Sequence, residues 1–137
     1  MKTKLSTVFG MIFATAFISN SSFGQSPDAK PWVVPAEYKS MANPVPSNPD
    51  NLTLGAELFA KNCKSCHGTK GKGDGPKAAN LETTCGDFTT PQFQSQTDGE
   101  IYYKMKEGRD DMPTFKKKIA DEEDFWQMVN YIRTLKE

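Results

Sequence analysis

The stretch Cys63-Lys64-Ser65-Cys66-His67-Gly68 decides how this chain is read. Two cysteines three apart lie on one face of a helical turn, so both thiols address one edge of whatever they hold. A histidine follows at once, and the glycine after it leaves room beside a planar group. C-x-x-C-H is the attachment pattern of a c-type haem. Cys63 and Cys66 would form thioethers to the two vinyl groups of one porphyrin edge, and His67 would turn beneath the ring to ligate iron. Other uses of these residues exist. A disulfide oxidoreductase also carries C-x-x-C, but it needs a βαβ scaffold that the sequence does not show. Zinc could take Cys63, Cys66, His67 and Cys85, although adjacent Cys66 and His67 are awkward joint ligands of one tetrahedral ion. A plain Cys63–Cys66 disulfide leaves the histidine without a role.

His67 is the only histidine among 137 residues, which excludes a centre with two histidine ligands from one chain. A methionine or an open position must complete the iron. Beyond residue 24 the methionines are Met41, Met105, Met112 and Met128. Met105 and Met128 fall on helical stripes and read as core filler. Met41 lies in a proline-rich stretch. Met112 sits in Gly108-Arg109-Asp110-Asp111-Met112-Pro113-Thr114-Phe115, where Pro113 stiffens the backbone and disfavours helix at Met112. A thioether on a constrained loop suits an axial ligand, so Met112 is the expected partner of His67. His/Met ligation raises the reduction potential and closes the iron to small molecules, which favours electron transfer over catalysis.

Working outward, the chain opens on an address. Lys2 and Lys4 precede an apolar run from Leu5 to Ile18, then small residues up to Gly24. That is the layout of a secretory signal peptide, with cleavage expected after Gly24. The run is too short for an ordinary membrane span. The whole chain balances 17 basic against 17 acidic side chains. Loss of Lys2 and Lys4 leaves 15 against 17, so no basic excess invites nucleic acid. The expected location is the periplasm. Residues 25–51 hold six prolines, which exclude a long helix or a central strand. Trp32, Val33, Val34, Tyr38 and Met41 are too apolar for a spacer. They suggest a strap packed on the domain, or a docking segment for a partner.

Residues 52–137 read as short helices joined by glycine-rich loops, an all-α class with three to five short helices and no internal repeat. Thr53 is placed to cap a helix from Leu54 to about Cys66. A helical turn is expected near Lys77–Leu81, and residues 82–96 read as loop. Thr97-Asp98-Gly99-Glu100 is a capping box for a helix ending at Gly108. Four acids, Asp121 to Asp124, open a last helix whose apolar face carries Phe125, Met128, Val129, Ile132 and Leu135. Cys85 has no assigned task. Burial as a small apolar residue, an intermolecular disulfide and a reactive thiol all remain open.

Over about residues 52–137 the chain resembles the class I cytochromes c. The resemblance rests on Gly55 and Phe59 before Cys63, on Cys63-Lys-Ser-Cys66-His67-Gly68, and on Gly73-Asp74-Gly75-Pro76. It continues through Asp87-Phe88, Met112-Pro113-Thr114-Phe115 and the final Trp126-Gln-Met-Val129-Asn-Tyr131-Ile132-Arg133. It implies an all-α fold around one covalent haem, with Gly55 letting the first helix approach the last near Met128 and Tyr131. It also implies a one-electron shuttle rather than an enzyme. The partners expected are redox proteins, a respiratory oxidase or reductase among them, with docking to a membrane complex a further option. Lys61, Lys64, Lys70, Lys72, Lys77 and Lys116–Lys118 would form a basic rim that steers acidic partners. An enzyme that opens the Met112 bond to peroxide or a gas, and a fixed respiratory subunit docked by Trp32, are the competing readings.

Overall fold

The computed structural model describes residues 30–137, so the expected signal peptide lies outside the described residues. The architecture is all-α, as the sequence indicates. Among the described residues there are six α-helices and one 3₁₀ turn, and the sole β feature is an isolated bridge between Arg109 and Met112. The helices are α1 (Ala36–Lys39), α2 (Pro49–Asn62), α3 (Lys64–His67), α4 (Pro91–Gln94), α5 (Asp98–Glu107) and α6 (Glu122–Thr134). Only α2, α5 and α6 exceed a single turn, and these are the helices that the apolar periodicity marks. No helix among the described residues is long and apolar enough to cross a membrane.

Helix α2 begins earlier than the sequence reading placed it. Its cap is Asn48, whose side-chain oxygen accepts from the Asn51 amide at 2.9 Å, and Pro49 fills the first helical position. There the missing N–H of proline leaves no bond unmade. Thr53 is therefore one turn inside the helix, and its hydroxyl donates back to the Pro49 carbonyl at 2.9 Å. The first helix turn thus falls within the proline-rich stretch. The 82–96 segment also holds more structure than expected: Thr90 caps the single turn α4, again with proline directly after the cap. Elsewhere the local signals translate directly. Both hydrogen bonds of the Thr97–Glu100 capping box form, at 2.8 and 3.2 Å, and Gly108 ends α5 at φ 68°. Asp121 caps α6.

The longest helices, α2 and α6, cross and make the most extensive contact between elements. Their seam and the inner face of α5 enclose Phe59, Tyr102, Phe125, Met128, Val129 and Ile132, all essentially excluded from solvent. Tyr102 stacks on Trp126 with ring centroids 4.3 Å apart and planes 7° from parallel. Met105 and Met128 are buried, as core filler should be.

Residues 30–48 pack on the domain as a strap. Val34 and Val45 are buried, and Tyr38 lies against both Tyr102 and Tyr103. Asn43 donates to the Trp126 carbonyl and to Asn130, which in turn donates to the Val45 carbonyl at 3.0 Å. Trp32 is half-buried under two cations, whereas Val33 stays 83% exposed and Met41 is exposed as well.

Candidate functional site

The motif begins where α2 ends. Cys63 caps α2 and starts α3: its carbonyl accepts from the Cys66 and His67 amides at 3.1 and 2.9 Å. That single turn fixes the two thiols and the imidazole relative to one another. Gly68 stops it at φ 78°, a backbone angle that glycine adopts without strain. The chain then folds back across the turn. The amides of Lys77, Gly75 and Gly73 donate to three successive carbonyls, those of Ser65, Cys66 and His67, at 2.9, 3.1 and 2.9 Å. Such an approach needs glycine: a Cβ on Gly75 would stand 2.6 Å from the Ser65 carbonyl oxygen. The loop that looks like a flexible linker by composition is therefore the brace of the motif.

His67 stacks on Phe88, with ring centroids 4.4 Å apart. Its Nδ1 is buried and makes no hydrogen bond. Burial pushes the imidazole pKa down, and the Gly86 backbone opposes that shift. Phe88 is itself fixed by its amide, which donates to the Gly71 carbonyl at 2.7 Å.

No disulfide joins any two of Cys63, Cys66 and Cys85. Burial pushes Cys63 up to about 12, with Cys66 adding to the shift. The disulfide oxidoreductase reading needs a βαβ scaffold, and the described residues form helices and one isolated bridge. Cys85 is half-buried close to Cys66 and is also shifted up, first by burial. No group of three or more histidine, cysteine or acidic side chains is arranged to hold a metal ion among the described residues, so the Cys63–Cys66–His67–Cys85 zinc set does not assemble. The Cys63–Cys66 disulfide is absent as well.

Met112 sits on a different element. Arg109 and Met112 exchange both backbone hydrogen bonds, at 2.8 and 2.9 Å, around a two-residue turn. Asp110 at its first position has φ 52°, which an Asp tolerates better than a bulkier residue. The turn is anchored from outside. Asp111 accepts from the amide and hydroxyl of Thr83 at 2.7 and 2.9 Å, and those bonds hold its carboxyl below the usual range. The Thr114 hydroxyl donates to the Lys106 carbonyl at 2.7 Å. Met112 packs half-buried against the same apolar cluster that contains Cys63 and Phe88. Cys63 and Met112 therefore share one apolar cluster, while Cys66 and His67 stand on the braced turn that Cys63 begins. Sequence reasoning missed the supports, namely Phe88 under His67, Thr83 on Asp111, and Trp32 on Arg109. Asp87-Phe88 gave a local signal; the other two pairs gave none.

Comparison with known proteins bears on this arrangement. The cytochrome c family profile matches residues 52–136. A cytochrome bc1 complex cytochrome c subunit of Corynebacterium diphtheriae is 27% identical over 90 residues, 66% of this chain. The chain spans only 29% of that relative's length. Among solved structures, the Kuenenia stuttgartiensis reducing HAO-like protein complex Kustc0457/Kustc0458 aligns with a TM-score of 0.62 and 26% identity, over 69% of this chain and 47% of that one. The KustC0563 c-type cytochrome aligns with a TM-score of 0.54 and 27% identity, over 61% of this chain and 98% of that one. The helical fold matches those structures, and the profile covers well over half of the sequence. This chain therefore belongs to the cytochrome c family, with covalently bound haem c as its cofactor.

Proposed function

We propose that this chain is an exported carrier of single electrons, with haem c attached through Cys63 and Cys66 and its iron ligated by His67 and Met112. One observation carries the reading. Two cysteines three residues apart, not joined by a disulfide, and a half-buried imidazole sit on one braced turn, and the buried Nδ1 of that imidazole has no partner. The donor set fits the group: the thiols suit thioether formation, and with Nδ1 turned into the protein, Nε2 is the nitrogen left for iron.

Haem c supplies the one-electron Fe(III)/Fe(II) couple. The chain's own residues do the rest. Thioethers from Cys63 and Cys66 keep the group from dissociating. Phe88 fixes the plane of His67, and the 68–77 loop fixes its backbone. A Met112 thioether on an anchored turn favours the reduced iron and keeps other ligands away.

The same reading assigns residues 1–24 to a signal peptide, 25–51 to an N-terminal extension and 52–137 to the cytochrome domain, with a periplasmic location. Partners are redox proteins, a respiratory oxidase or reductase among them. The lysines at 61, 64, 70, 72 and 77 and at 116–118 are all exposed, and they are the charges such a partner would meet. A fixed place in a larger assembly is the second reading, favoured by the relative named as a cytochrome bc1 complex subunit. Copurification of the native protein with a larger complex would support it.

Intact mass and visible spectrum after acid–acetone extraction test the central claim. The expected result is one retained haem, a chain lacking residues 1–24, and no retained haem in the Cys63→Ala/Cys66→Ala variant. Haem retained by that double variant would overturn the attachment.

A further inference from the structure

The strap at residues 30–48 lies outside the segment that matches the cytochrome c family. Its beginning rests on the Met112 loop. The Lys30 carbonyl accepts from Arg109 Nη1 at 3.0 Å, and the Arg109 guanidinium carbon lies 4.5 Å from the centre of the Trp32 ring. The Lys104 ammonium is 5.6 Å from the same ring. Arg109 is also the residue whose backbone closes the turn on Met112. Trp32 thus stands two contacts from the thioether.

We propose that Trp32 is a positioning residue for Met112: it holds Arg109, Arg109 holds the two-residue turn shut, and the closed turn slows release of the Met112 ligand from haem iron. This rests on the Met112 ligation proposed above. The physical case is local. A turn closed by one pair of backbone bonds at a half-exposed site opens readily unless its flanks are tied. Thr83 ties one side through Asp111. On the other side Arg109, a long side chain with many rotamers, is tied within the turn only by its Nε–Asp110 carboxylate contact at 3.2 Å, and its guanidinium is otherwise held by the Trp32 face and the Lys30 carbonyl. Cation–π contact and a charge-assisted hydrogen bond remove that freedom. Val34, Tyr38 and the Asn43–Asn130 pair hold the strap independently, so loss of the indole loosens Arg109 without detaching the strap.

The test uses the full-length ferric holoprotein. Trp32→Ala should raise amide exchange at Arg109 and Met112, and the rate of imidazole binding to the iron, by about tenfold. It should also lower the pH at which the red charge-transfer band of methionine-ligated ferric haem disappears. The ligating form of imidazole is neutral, and at a pH well above its own pKa, where that form predominates, the surface field does not enter. Trp32→Phe, which keeps an aromatic face, should recover most of each effect. Asn43→Ala should lower the urea midpoint and leave both rates unchanged. An unchanged Trp32→Ala protein, or equal acceleration by Asn43→Ala, would overturn the clamp while leaving Met112 as ligand. A wild-type protein with no such band, binding imidazole as fast as Met112→Ala, would sink the ligand assignment and the clamp with it.

Discussion

The Gln127 carbonyl carbon lies 2.8 Å from where a β-carbon on Gly55 would stand, and its oxygen is closer still. Helices α2 and α6 therefore cross with backbone against backbone, and no rotamer change can make room. In an exposed helix, Gly→Ala adds stability of about 1 kcal/mol. Here overpacking outweighs it, at roughly 1–3 kcal/mol or more. Gly55→Ala should lower the unfolding free energy of the holoprotein in urea by about 2 kcal/mol. An unchanged or higher midpoint would mean that the crossing can spread at no energetic penalty.

Arg133 organises the other face of α6. Its Nε and Nη2 donate to Asp98 at 2.8 and 2.7 Å, Nη1 to the Gln94 carbonyl at 2.8 Å, and Nη2 to the Gln96 carbonyl at 2.6 Å. Only a planar fork reaches all three acceptors. Arg133→Lys keeps the charge but strands part-buried carbonyls, so it should destabilise by about 1 kcal/mol, measured in the same urea titration. A difference within a few tenths would show that water replaces the fork.

What was legible in the sequence follows how local each signal is. Thr97 with Glu100, and the acids of Asp121–Asp124, lie beside the ends they set, so α5 and α6 were readable to a residue or two. The start of α2 was not. Pro49 belongs by composition to a run of prolines that argues against helix, yet a proline after an Asn cap begins one. Thr90-Pro91 repeats that signature in a segment read as loop. The candidate site divides the same way. Cys63, Cys66, His67 and Met112 stand in local motifs. The Arg109–Lys30 bond joins residues 79 apart and the Asp111–Thr83 bond residues 28 apart, and no periodicity announces such pairs.

Glu122 gives a pH signature. Its carboxylate accepts from the Lys106 ammonium and from the Tyr102 hydroxyl, and these hold it below the usual carboxylate range, Lys106 contributing most. A carboxyl whose folded pKa lies below its unfolded value adds stability above that unfolded value, about pH 4.3, and loses it as pH falls through the folded one. Lys106 is shifted up by the same contact, so its share persists to strongly alkaline pH. The Glu122 side chain is 69% exposed, so the effect is a fraction of 1 kcal/mol. Glu122→Gln should be slightly less stable than wild type at pH 6, and the gap should close near pH 3. A constant gap would assign the loss to packing.

The basic surface predicts salt dependence. Two of its eight lysines are answered at home, Lys72 by Glu137 at 2.7 Å and Lys116 by Glu107 at 2.6 Å. The other six make no ion pair among the described residues, and screening within about 10 Å at 0.1 M salt should weaken their pull on an acidic partner. The second-order rate of electron transfer to an acidic redox protein should fall severalfold between low and high ionic strength. A flat dependence would remove electrostatic steering from the mechanism.

The axial assignment distinguishes between four methionines. Met105 and Met128 are 4% and 1% exposed within the helical core, and Met41 is 38% exposed on the strap. Only Met112 sits on a closed turn against the cluster that contains Cys63. Met112→Ala should abolish the ferric charge-transfer band, lower the reduction potential and admit imidazole freely. Met105→Leu and Met128→Leu keep the core volume, so each should cost under about 1.5 kcal/mol and leave band and potential in place. Loss of the band in either Leu variant, with the band intact in Met112→Ala, would move the ligand from the loop to the core and reverse the account of how this chain holds its iron.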